Sequence, residues 1–193
     1  MENQMARPSE RDVRYKRLAQ SLGWGDLRSL WAEIKSGSTP DWHNGKALEH
    51  LVARGFELSG LEVEYPYYVP PGGRVIEEID GIVYLGQMPF LIECKDRDGV
   101  DIETFAKLRN QLMRRPPATM GCIFSTGAFS STALILADFA IPHQITLWSS
   151  EDIETALGEE DFKKPLLKKY HNLCKYGMTE LSPIYKSLED TYE

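Results

Sequence analysis

Long hydrophobic runs are missing from the 193 residues; the longest apolar stretch, Ala133 to Ile141, is short and carries Asp138, so no segment can span a membrane as a helix. The first twenty residues mix Glu, Arg, Asp and Lys without an apolar block, which argues against a secretory signal and sets the expectation of a cytoplasmic protein. Cysteine is scarce. Cys94, Cys122 and Cys174 are odd in number and widely spaced, which gives neither a disulfide framework nor a zinc pattern, so reduced thiols are expected. The four histidines, His43, His50, His143 and His171, show no H-E-x-x-H or paired spacing, and a zinc hydrolase finds no support. The chain also has no G-x-x-x-x-G-K-[ST] loop, no G-x-S-x-G elbow and no internal repeat. Positive charge is in deficit as well. Lys and Arg total 22 against 29 Asp and Glu, a formal net charge of −7, which disfavours a surface that is basic throughout.

What remains is an ordinary globular composition, 42% hydrophobic and 26% charged, in a chain long enough for one domain with extensions. Val13 to Leu22 and Asp26 to Ile34 read as short helices, ended by the GSTPD of residues 37–41. A helix follows over Trp42 to Leu58, with Leu48, Leu51, Val52 and Gly55 in a close-packed stripe, Glu49 at its edge, and Lys46, His50, Ala53, Arg54 and Glu57 largely opposite. Leu61 to Val69 alternates as a half-exposed strand that Pro66 keeps near a sheet edge, and the PPGG at 70–73 turns the chain toward Val75. After Lys95 comes a polar loop containing Asp98 and Asp101, either of which can cap a helix over Ile102 to Arg115 that Pro116 and Pro117 end. Met120 to Thr126 reads as a strand buried on both faces, Ser131 to Phe139 as a helix capped by Ser130, Gln144 to Trp148 as a strand, and Glu151 to Leu157 as a short helix. Phe162 to Tyr176 carries Leu166, Leu167, Tyr170 and Leu173 among lysines and reads as a C-terminal helix. The divisions expected are a helical extension over 1–41, a core over 42–157 and a helical extension over 158–193.

The stretch from Val75 to Lys95, VIEEIDGIVYLGQMPFLIECK, reads as two strands joined by a tight turn at Gly86 to Pro89. Alternation puts Glu93 and Lys95 on one face and Phe90, Ile92 and Cys94 on the other. Ionised groups at the end of such apolar strands require a partner or a metal. Asp80, followed by Gly81, adds a further carboxylate on the preceding strand, and this set suits a hard divalent cation. A buried ion pair is the plain alternative.

Asp80, the hairpin, and then Glu93-Cys94-Lys95 resemble the PD-(D/E)XK nucleases, in particular their Mrr-like restriction endonuclease branch, although Ile79 stands where that motif often has proline. The resemblance runs roughly from Trp42 to Leu157 and includes Thr126, Phe129 and Ser130 as a T-x-x-F-[ST] turn. It implies an α/β fold, a restriction-endonuclease-like mixed β-sheet flanked by helices on both faces. It also implies Mg²⁺, with Mn²⁺ as a substitute, held by Asp80, Glu93 and the Cys94 carbonyl, and Lys95 holding the attacking water. Glu49 matches the Glu that a preceding helix supplies near the metals, against a plain pairing with Lys46. Gln111 matches a Gln that positions the Lys or the water, against an ordinary surface amide. The activity implied is metal-dependent DNA endonuclease, restriction-like, with DNA as partner and a homodimer suited to cutting both strands. Two other readings stay open: an inert DNA- or protein-binding module on the same fold, and a repair or junction nuclease of the same superfamily. The cation clusters Lys107, Arg109, Arg114, Arg115 and Lys163, Lys164, Lys168, Lys169, Lys175 are either phosphate contacts or solvated helix faces.

Overall fold

The computed structural model describes residues 9–69, 77–96, 99–138 and 145–179. The turn expected at 70–73, the start of the strand at Val75, Asp98, Phe139 and Gln144 lie outside the described residues. Within them the elements are helices α1 (Glu10–Ser21), α2 (Trp24–Ser36) and α3 (Lys46–Leu58), strands β1 (Glu62–Glu64), β2 (Tyr67–Val69), β3 (Glu77–Ile79), β4 (Gly81–Leu85) and β5 (Met88–Lys95), then α4 (Ile102–Leu112), β6 (Met120–Ser125), α5 (Ser131–Asp138), β7 (Ile145–Trp148), α6 (Ser150–Glu159) and α7 (Lys163–Tyr176).

Five strands form one mixed sheet in the order β1-β4-β5-β6-β7. β1, β4 and β5 are antiparallel neighbours, whereas β6 and β7 add in parallel, because α4 and α5 carry the chain back across one face. Alternation along the strands feeds two apolar layers. Val83, Leu85, Phe90, Ile92, Cys122, Phe124 and Trp148 join α1, α2, α3, α6 and α7 on one side. Ile82, Leu91, Ile123, Ile145 and Leu147 join α4 and α5 on the other. The flanking helices α1, α2 and α7 thus share the larger layer with the sheet through Tyr15, Leu27, Trp31, Leu166 and Leu173.

Several elements differ from the sequence reading, each for a physical reason. Helix α3 begins at Lys46 rather than Trp42, because Gly45 takes a left-handed conformation at its start. His50 and Ala53, expected on the outer side of that helix, are buried, since α1 and α2 cover the side away from the sheet. The single strand read over Leu61 to Val69 is two short ones, β1 and β2, and the expected strand bearing Asp80 is likewise broken into β3 and β4. Glu64 pairs with Ile82 and Tyr67 with Ile79, so the antiparallel register resumes unchanged beyond the break. Pro66 offers no backbone N–H to the ladder, and the residues left opposite one another at the break are Tyr65 and Pro66 on one side and Asp80 and Gly81 on the other. β2 and β3 therefore form a separate two-stranded ribbon, and Asp80 sits at the bend where the chain leaves it for the main sheet.

Candidate active site

β5 runs through the centre of the sheet, antiparallel to β4 and parallel to β6, and its last residues carry the charges. Gly81 pairs with Ile92, so one step further the register brings Asp80 across from Glu93. A Cβ on Gly81 would lie 3.3 Å from the Glu64 carbonyl oxygen and 3.4 Å from Ile92, so the bend packs tightly where it positions Asp80. The backbone N–H of Cys94 donates to Asp80 Oδ2 at 2.7 Å, which ties that carboxylate to the strand bearing Glu93. Burial, then the charges of Glu49 and Glu93, push the Asp80 pKa up to about 8.

Glu93 is fully buried on the α4 face of the sheet. Lys95 Nζ stands 2.6 Å from its Oε1, and Lys107 Nζ, reaching over from α4, donates to both oxygens at 2.9 and 2.8 Å. Burial works against the charge on Lys107, but the hydrogen bond and charge of Glu93 carry its pKa above the ordinary lysine value. Glu49 lies in the first turn of α3 and accepts from Lys46 Nζ at 2.7 Å, so the plain pairing holds. It also belongs to the same electrostatic group: burial first, then Glu78 and Glu93, raise its pKa despite Lys46. Lys46 reaches toward Glu78 of β3 as well, at 3.7 Å. Cys94 turns its thiol to the opposite apolar layer, where burial raises its pKa far above the ordinary thiol value.

Gln111 is buried on α4, and its Nε2 lies 3.5 Å from the Glu78 carbonyl oxygen, at the limit of a hydrogen bond. Its Oε1 has no partner among the described residues. No hydrogen bond joins Gln111 to Lys95 among the described residues; the structure brings together Asp80, Glu93, Lys95 and Glu49 and places Gln111 against the Glu78 carbonyl of β3. Sequence reading missed the pairing of Lys107 with Glu93, having grouped this lysine with the other cations of α4 as phosphate contacts or a solvated face. A signal existed: Lys107 lies three residues after buried Thr104 and four before buried Gln111, at the margin of the inward stripe.

Among the described residues, no group of three or more His, Cys, Asp or Glu converges closely enough to hold a metal ion, and amines occupy the space around Glu49 and Glu93 instead. The donor chemistry nevertheless suits a hard divalent cation. Asp80 and Glu93 offer carboxylate oxygens across one strand pair, the Cys94 carbonyl belongs to the same strand end, and Glu93 already attracts two cationic groups.

The restriction endonuclease family model Mrr_cat matches residues 41–157. No curated protein sequence matches the chain. Among solved structures, the small subunit (R.BspD6I2) of the heterodimeric restriction endonuclease R.BspD6I is similar with a TM-score of 0.53 and 14% identity, over 86% of this chain and 94% of that one, which is a likeness of fold. A protein of unknown function, AF1548, is 22% identical with a TM-score of 0.44, over 57% of this chain and 65% of that one. The DNA modification-dependent restriction endonuclease AspBHI is 18% identical with a TM-score of 0.42, over 80% of this chain but only 39% of its own length. The chain thus spans less than two thirds of AF1548 and of AspBHI.

Proposed function

The chain belongs to the restriction endonuclease family that Mrr_cat describes, and from that membership we propose that it hydrolyses DNA phosphodiester bonds as a divalent-cation-dependent endonuclease. The observation that carries the reading is the meeting of Asp80, Glu93 and Lys95 at the end of the central strand, with Glu93 fully buried and Asp80 tied to the Cys94 amide. Structural ion pairs seldom need a second carboxylate of raised pKa beside them, and functional sites often have one.

Asp80, Glu93 and the Cys94 carbonyl would hold the cation, Mg²⁺ with Mn²⁺ as a substitute. Bound there, a divalent ion supplies Lewis-acid charge to the phosphoryl oxygens and lowers the pKa of a coordinated water. Lys95 keeps its amine at the mouth of the site, a quarter exposed, where it can orient the attacking water and offset charge that develops on the phosphate. Glu49 adds negative potential from α3, and Lys46 limits how far it accumulates.

DNA contact is part of the same proposal. Arg114 and Arg115 are tied to Glu77, and Lys107 is tied to Glu93, so the cluster expected on α4 is largely committed internally. Lys169, expected on a solvated face of α7, is buried against Asp152 and Trp148. By contrast Arg11, Arg14 and Arg17 of α1 are exposed and form no ion pair among the described residues, which makes α1 the better cationic face for a phosphate backbone. The core over 42–157 with a helical extension on each side, and a homodimer that would present two sites to two strands, complete the proposal.

Asp80→Asn and Glu93→Gln should each lower cleavage of plasmid DNA in Mg²⁺ by more than about a hundredfold while far-UV circular dichroism stays that of the parent. Parental cleavage by either variant would contradict the assignment. An inert binding module is the second reading, favoured by the amines that already neutralise the carboxylates; it requires that DNA binding persist in both variants with no cleavage by any of the proteins.

A further inference from the structure

Glu49, Asp80 and Glu93 are matched by an equal number of amines, from Lys46, Lys95 and Lys107. Lys46 and Lys95 are local partners: Lys46 lies three residues before Glu49 on the same helix, and Lys95 two residues after Glu93 on the same strand. Lys107 is different. It comes from α4, fourteen residues along the chain, and its amine sits astride both oxygens of Glu93 at 2.9 and 2.8 Å. A group placed evenly between two carboxylate oxygens takes the position that a cation bound by both of them would need.

The helix is held close enough for this reach by packing beneath it. A Cβ on Gly121 of β6 would come within 2.8 Å of the Leu108 side chain, so only glycine lets α4 settle at this depth, and Lys107 is the residue before Leu108. A divalent ion brought into a site that already holds three amines adds two more positive charges beside them. An amine must then withdraw. The side chain of Lys107 is 47% exposed, against 25% for both Lys46 and Lys95, so it has the shortest way to solvent.

We propose that Lys107 is a displaceable counterion: it holds the Glu93 carboxylate in place while no divalent cation is bound, and it yields that position to the cation, leaving its amine free for a DNA phosphate. It is a positioning residue acting through Glu93, and the inference rests on the cation-dependent reading above.

The test is Mn²⁺ binding by the intact chain without DNA, followed by calorimetric titration, with thermal unfolding measured in EDTA and in saturating Mn²⁺. Lys107→Met should bind Mn²⁺ about tenfold more tightly than the parent, because a cation that competes for Glu93 has gone. Its Tm in EDTA should fall below the parent's, and its gain in Tm on adding Mn²⁺ should exceed the parent's. Lys107→Arg, which keeps the charge, should stay near parental affinity. A merely structural role would move affinity the other way, since a disturbed site binds a metal more weakly. Equal or weaker Mn²⁺ binding by Lys107→Met, with Mn²⁺ bound by the parent and not by Asp80→Asn, overturns the counterion inference and leaves the cation site standing. Absence of Mn²⁺ binding in both the parent and Lys107→Met overturns the two together. Should Lys107→Met fail to fold, Lys107→Gln, which keeps a polar end in the half-exposed position, is held to the same outcomes.

Discussion

His50 stands beside Glu49 in the sequence but faces away from the charges, 3% exposed among the rings of Tyr15, Trp42 and Tyr65. Its Nδ1 has no partner among the described residues. Burial, then the positive charge of Lys46, depress its pKa from 6.5 to about 4, with Lys16 adding to the effect and Asp12 opposing it. The unfolded chain therefore takes up the proton first. Stability from this group is fully present above about pH 6.5 and is lost as the pH falls toward 4, by about 3 kcal/mol in total. Denaturant titrations at a series of pH values should show that acid limb in the parent, and His50→Phe should flatten it; an unchanged limb in the variant would place the acid sensitivity elsewhere. None of this was legible in the sequence, where His50 falls on the polar side of its helix. The aromatic enclosure depends on Tyr15 of α1, which local pattern cannot bring to α3. Asp80, Glu93 and Lys95 were legible because their spacing along two adjacent strands survives in sequence. Lys107 was not, because its partner lies across the sheet face on another element.

At the level of elements, the pattern of apolar residues located nearly every helix and strand, since period and capping are local. Asp101 caps α4 and Ser130 caps α5 as expected, through N–H donors of Thr104 and Ala133. The misread elements are those whose form is decided by pairing. β1 and β2 look like one alternating strand until the break opposite Asp80 and Gly81 divides them between two sheets. Helix contacts follow a similar rule, and Gly55 shows it. Expected in a close-packed stripe, it meets Phe162, the residue that precedes α7: a Cβ there would lie 2.7 Å from Cε2 of Phe162, whose ring stacks on Trp24 and Trp148. Gly55→Ala should destabilise the fold by about 1–3 kcal/mol through overpacking, read as a lower denaturation midpoint at unchanged slope. A midpoint within error of the parent's would mean that the Phe162 ring can move aside without loss, and that α7 is less firmly joined to the core than its contacts indicate.

For the molecule as a whole, a net charge of −7 does not describe the surface that substrate would meet. Much of the acid is committed to internal pairs, such as Glu77 with Arg114 and Arg115, Glu93 with Lys95 and Lys107, and Asp152 with Lys169. None of its helices within the described residues is long and apolar enough to cross a membrane. The sheet serves as a rigid mount: the central strand presents Glu93 and Lys95 at its end, the antiparallel side delivers Asp80, and α3 and α4 contribute Glu49 and Lys107 from either face. The claim that joins these parts is that Lys95 works on the phosphate rather than merely balancing Glu93. It is tested most directly by single-turnover cleavage of duplex DNA in Mg²⁺ with Lys95→Ala beside the parent, DNA binding being measured in Ca²⁺. If the Lys95 amine acts at the transition state, cleavage should fall by more than about a hundredfold with DNA affinity changed by less than about threefold. Cleavage at the parental rate by Lys95→Ala would contradict the account.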